Sequence, residues 1–98
     1  MNMQQIMAQA QKMQKDILKK QEELSSMEFE GKSDWVKIDF KGDKSVKSVD
    51  ILNDAAFDID NKDILCDMIM IAIKDGLSKI DKETEEKMGA YSKIGGLF

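Results

Sequence analysis

The chain has 98 residues, with no histidine, no arginine and no proline, and its one cysteine is Cys66. Without histidine it lacks the side chain that most often acts as general base or metal ligand near neutral pH. Cys66 lies among apolar residues with no imidazole to take its proton, so an inert buried thiol is expected. A lone cysteine cannot close an internal disulfide, which points to a reducing, cytoplasmic setting. Without arginine there is no planar fork of the kind that most often reads guanine edges. The absence of proline leaves helices and strands uninterrupted. Long apolar runs are also missing: Ile64 to Ile73 is the greasiest stretch, but it contains Asp67 and lies between Asp63 and Lys74. That is too short to span a bilayer, and no leader with a cleavage site is apparent, so neither membrane nor export is expected.

No glycine-rich phosphate loop, metal-ligand spacing or nucleophile–base pair is present. Asp58-Ile-Asp60-Asn-Lys-Asp63 superficially matches a calcium loop, but Asp63 stands where that loop needs glycine and Ile69 where it needs glutamate. Helix capping explains the cluster better. The composition points away from an enzyme, a cofactor or a small-molecule substrate.

What the chain does have is a first helix, residues 1–27, with an apolar seam and a basic back. Counting Met3 as heptad position a, Met3, Ala10, Ile17 and Leu24 share that position, and Ile6, Met13 and Met27 share d. Only Lys20 interrupts the set. Alternating steps of three and four suit contact with another helix. Lys12, Lys15 and Lys19 fall at c, f and c, opposite the seam. They could contact phosphates or simply form a solvated face. The formal charge of −4 is unevenly spread: residues 1–27 carry four lysines against Asp16, Glu22 and Glu23, leaving the remainder strongly acidic.

After this helix, residues 27–52 alternate in the manner of three short strands. Phe29 lies on one face of the first; Val36, Ile38 and Phe40 on one face of the second; Val49 and Ile51 on one face of the third. Gly31 to Asp34 is turn-like, and Lys41-Gly42-Asp43-Lys44 has hairpin chemistry, with Gly42 available for a positive φ. Trp35 falls on the polar phase of its strand, where it could cover the outer sheet face, a partner, or a nucleic-acid base. Residues 53–60 form an acidic connector with one helical turn expected near Ala55 to Phe57. Asp60 or Asn61 should cap a long helix over 61–88. Lys79 and Lys82 stand four residues before Glu83 and Glu86, so intrahelical ion pairs are expected there. Residues 89–98 read as a flexible tail. The result is a single α+β domain, α-β-β-β-α, with an antiparallel meander. A three-stranded sheet covered by one helix leaves strand edges and a long leading helix unsupported, and the first half of the second helix is apolar almost all round, so pairing of two chains is expected.

With these elements placed, the chain resembles the YbaB/EbfC family of small bacterial nucleoid-associated proteins. The likeness rests on Ile6-Met-Ala-Gln-Ala-Gln-Lys-Met-Gln14, on Trp35-Val-Lys-Ile-Asp-Phe-Lys-Gly42 and Val49-Asp-Ile51. It continues through Leu65, Asp67, Met68, Ala72, Asp75 and Gly76 of the second helix. The resemblance implies an intertwined, tweezer-like homodimer whose first helices project as arms. It also implies non-enzymatic, weakly selective binding to duplex DNA through the phosphate backbone, in the cytoplasmic nucleoid, with effects on nucleoid organisation and gene expression. Carried over by position, the DNA-contacting residues would be Lys12, Lys15 and Lys19, with Lys79, Lys82 and Lys87. The dimer interface would draw on Leu65, Met68, Ile69, Ala72, Ile73 and Gly76. The other reading of the residues is a protein-interaction module that uses the first helix as a coiled-coil handle, without DNA.

Overall fold

The computed structural model describes residues 2–92. Helix α1 spans Met3–Ser26 and is capped by Asn2, whose side-chain oxygen accepts the Gln5 N–H at 2.9 Å. At Met27 the backbone becomes extended and leads into strand β1 (Glu28–Lys32), followed by β2 (Val36–Lys41) and β3 (Val46–Ile51). The strands pair antiparallel in the order β1-β2-β3. Two short 3-10 turns, Asp54–Phe57 and Ile59–Asn61, then deliver the chain to α2, Lys62–Ser92. This is the α-β-β-β-α meander that the alternation predicts.

Several boundaries move for physical reasons. Gly31 and Lys32 belong to β1 and not to a turn, because Gly31 pairs with Ile38 and lies directly beneath α2. The connector holds two 3-10 turns where one was expected. Asp58 caps the second 3-10 turn by accepting the Asp60 N–H at 2.9 Å, and that turn runs directly into α2. The Asn61 amide instead donates to the Ala55 carbonyl at 2.9 Å. Helix α2 runs past Met88 to Ser92, since nothing between Gly89 and Ser92 blocks an N–H; the rest of the expected tail, 93–98, lies outside the described residues.

Strand register sorts the sheet into two unlike faces. Opposite residues share a face, so the pairs Phe29–Phe40, Val36–Ile51, Ile38–Val49 and Phe40–Val46 all look the same way. The other face is polar and self-neutralised: Lys47 pairs with Glu28, Lys37 lies 3.7 Å from Glu30, and the Ser48 hydroxyl donates to Asp39 at 2.8 Å. Helix α2 lies over β1 and β2 and closes a core of Val36, Ile38, Phe40, Ala72 and Ile80.

Two glycines set how closely the helix approaches. A Cβ on Gly31 would sit 2.0 Å from the Ala72 carbonyl oxygen and 2.7 Å from the Gly76 nitrogen; one on Gly76 would meet the Phe40 ring at 2.3 Å. Backbone therefore lies on backbone. Gly42 serves a related purpose. Its N–H donates to the Met27 carbonyl at 3.0 Å, and a Cβ there would be 1.7 Å from the Leu24 carbonyl oxygen. The positive φ expected of Gly42 falls instead on Lys44, at 71°. What selects glycine at 42 is the passage of the hairpin against the end of α1.

Asp75 ties α2 to the edge of β1. Its carboxylate accepts the Lys32 N–H at 3.0 Å and lies 3.2 Å from the Lys79 ammonium, which also donates to the Glu30 carbonyl at 2.7 Å. The backbone N–H of Lys32 first, and then the Lys79 ammonium, hold the Asp75 carboxyl below its ordinary value of 3.8. A depressed carboxylate pKa adds stability at pH values above the unfolded value and loses it as pH falls through the folded one. Urea midpoints should therefore drop more steeply below about pH 4 for the native chain than for Asp75→Asn, with a small difference because the pair is solvated. Parallel curves would mean that the contact contributes nothing.

Candidate nucleic-acid interface

The molecule is elongated, with extents of 70 × 20 × 14 Å and a radius of gyration of 19.4 Å. A compact chain of this length would have a radius near ~13 Å. The excess reflects the projecting α1 together with α2, which at 31 residues is about 46 Å long. Of its residues only Leu24 is buried, at the junction with α2, where Glu23 lies 3.8 Å from Lys87. The outer turns of α1 project into solvent.

Lys12, Lys15 and Lys19 all stand exposed on this arm, and among the described residues none of them makes an ion pair. Their spacing puts them on one face, spread over about 10 Å of helix axis, close to three base-pair steps of duplex. Lys12 lies about 21 Å along the axis from the base of the arm, beyond two Debye lengths at physiological salt. The outer part of the arm is thus screened from the acidic body, while Lys19, about 10 Å from the base, stands little more than one Debye length away.

The later lysines divide. Lys82 is exposed. Lys79 is engaged by Asp75 and the Glu30 carbonyl, and Lys87 by Glu23. The pairs expected with Glu83 and Glu86 do not form. Lys79 turns back to Asp75, so that the acid stands N-terminal to the base, the better order on a helix. Trp35 is half-buried against the core cluster, so part of its ring serves the fold. Cys66 is exposed, not buried, because its flank of α2 turns away from the sheet.

The six residues expected at a dimer interface also divide. Ala72 is fully buried and Gly76 lies against Phe40 and Gly31, so both belong to the protomer's own helix–sheet contact. Leu65, Met68 and Ile69 are half-buried against the same core. Ile73 is exposed, and it has apolar company that the spacing did not single out. Val46 and Val49, on the inner face of β3, are 55% and 59% exposed because α2 stops short of that strand. Met70 is exposed as well, and its spacing puts it with Ile73 on the flank of α2 opposite the Asp75 anchor. In the connector, Phe57 and Ile59 are uncovered. Together these residues leave apolar surface uncovered on the inner face of β3 and in the connector. The signal was the near-continuous grease of 64–73, but periodicity alone could not say which flank the protomer's own sheet would take.

No helix among the described residues is long and apolar enough to cross a membrane. A family model for the YbaB/EbfC DNA-binding family matches residues 1–96. The chain is 45% identical to a nucleoid-associated protein of Ligilactobacillus salivarius, over 99% of this chain and 95% of that one. It is 46% identical to one of Streptococcus uberis, over 94% of each. The crystal structure of uncharacterized protein HP0035 from Helicobacter pylori superposes with a TM-score of 0.76 at 20% identity, covering 97% of this chain and 99% of that one, so the fold is shared. Helix, meander and helix in this order, an arm with a bare lysine face, and a match along nearly the whole chain agree: the protein belongs to the YbaB/EbfC DNA-binding family.

Proposed function

We propose that the protein is a homodimeric nucleoid-associated protein of the bacterial cytoplasm that binds duplex DNA without catalysis and with little sequence preference. The observation that carries this reading is the exposed, unpaired trio Lys12, Lys15 and Lys19 on a helix held clear of the acidic body. Family membership and the nucleoid-associated relatives support DNA as the ligand. Ammonium groups on flexible stems neutralise phosphates and read no bases, so binding should be broad. Lys82 is an auxiliary contact, whereas Lys79 and Lys87 act first as struts of the fold and touch DNA only at the cost of their present partners.

The open inner face of β3 supports the homodimer. A partner laid against Val46, Val49, Met70 and Ile73 covers apolar surface that a lone chain leaves wet, and sets two arms on one body. Two arms offer six lysines to one duplex, which lifts a weak three-contact grip by avidity. Broad binding of this kind suits a role in nucleoid organisation, with gene expression affected as a consequence. The test is fluorescence anisotropy with two duplexes of unrelated sequence at low salt. Both should bind, with dissociation constants within about tenfold of each other. A flat signal on both would favour the protein-interaction reading.

A further inference from the structure

We infer that the arm carries a second, separate self-association face, through which the α1 helix of one dimer packs against the α1 helix of another. This inference takes the body dimer of the preceding section as its starting unit. The seam at Met3, Ile6, Ala10, Met13 and Ile17 keeps its heptad spacing over more than three turns of α1, yet among the described residues its outer portion, Met3 to Met13, stays exposed. Ile6 is 50% exposed and Met3 76%, and Met7 adds to the apolar width beside them. A solitary solvated helix has no use for such a stripe.

The occupant is a second copy of the same helix. Positions flanking the seam from Met3 to Met13 are Asn2, Met7, Gln9 and Gln14, all uncharged; Asp16, which flanks Ile17, falls opposite the first turn of the other arm in an antiparallel overlap and not opposite the other Asp16. Lys12, Lys15 and Lys19 point away from it. An antiparallel overlap of the outer turns also keeps Lys20 of one arm clear of Lys20 of the other. Spacing that is self-complementary suits an isologous contact. The body face of β3 lies at and beyond the base of the arm, where the hairpin before it passes the Leu24 carbonyl, whereas Ile6 stands about 27 Å along the helix axis from Leu24. A chain with two independent isologous faces builds beyond the dimer, as a closed tetramer or an open series. Because the lysines and the seam occupy opposite sides of one helix, arms can hold each other and DNA together, linking separate stretches of duplex.

Such a short seam offers less than the ~800 Å² per partner of a stable interface, so the contact is weak in free protein and concentration-dependent. Sedimentation equilibrium of the full chain without DNA, from about 1 to 500 μM, tests it. The expected result is a mass that rises above the dimer at the upper end. Ile6→Gln combined with Met13→Gln, which changes no charge, should abolish that rise and leave the dimer and its helix content intact. A native chain that stays dimeric throughout would overturn the inference, as would a double variant that associates as the native chain does. If the body does not pair, the native chain should run as a monomer–dimer equilibrium that the double variant abolishes and Val49→Asp spares. That outcome would sink the body dimer and keep the arm contact.

Discussion

Replacement of Lys12, Lys15 and Lys19 together by glutamate should lower affinity for a duplex at low salt by at least about 100-fold, with the dimer mass unchanged. The size follows from the geometry of the arm. These three ammonium groups make no ion pair among the described residues, so no internal contact is lost on substitution and the fold should be indifferent. Each is carried twice in a dimer, and reversal turns attraction to the phosphates into repulsion at every position. The neutral series, lysine to glutamine, should fall between. By contrast, Lys79→Gln removes a strut between α2 and β1 and should act mainly on stability. A triple variant that binds within twofold of the native protein would remove the arm from the interface.

Gly31→Ala is expected to be the most damaging single methyl in the molecule, costing about 3 kcal/mol or more. The new Cβ would be placed 2.0 Å from the Ala72 carbonyl oxygen. Backbone cannot rotate away as a side chain can, so α2 would have to lift from β1. Lifting it also pulls Asp75 from the Lys32 N–H and Lys79 from the Glu30 carbonyl. Unfolding in urea at matched protomer concentration gives the measurement, since a dimer's midpoint depends on concentration. In thermal terms the loss is about 12 °C or more for a domain of this size. A variant within about 0.5 kcal/mol of native would show that the helix and strand are not in the contact described.

The arm and the sheet were legible in the amino-acid order because their signals are local. Steps of three and four from Met3 to Met27 can only be a helix with one greasy side, and Val36, Ile38 and Phe40 alternate with charged residues at strand period. What was not legible is tertiary. Gly31 precedes Lys32, Ser33 and Asp34 and so resembles a turn; its place in a strand comes from α2 passing overhead. Gly42 shows the same thing: a hairpin glycine suggests positive φ, whereas its real constraint is the Leu24 carbonyl. A clue was present in Ala72 and Gly76, small residues one helical turn apart that mark a close-packed stripe. Read with the glycine in β1, they would have placed that stripe against the chain's own sheet. For the lysines, the charge count alone set the acidic whole against the basic arm. Only the projection of α1 shows how far the outer lysines stand from the acidic body.

The most direct measurement is the slope of log K against log salt concentration for native protein on a duplex. Six phosphate contacts from two arms give a slope near −5, while three from a single arm give about −3. The expected value lies near −5. A slope near zero, or no measurable binding at low salt, would contradict a phosphate grip by the paired lysine arms.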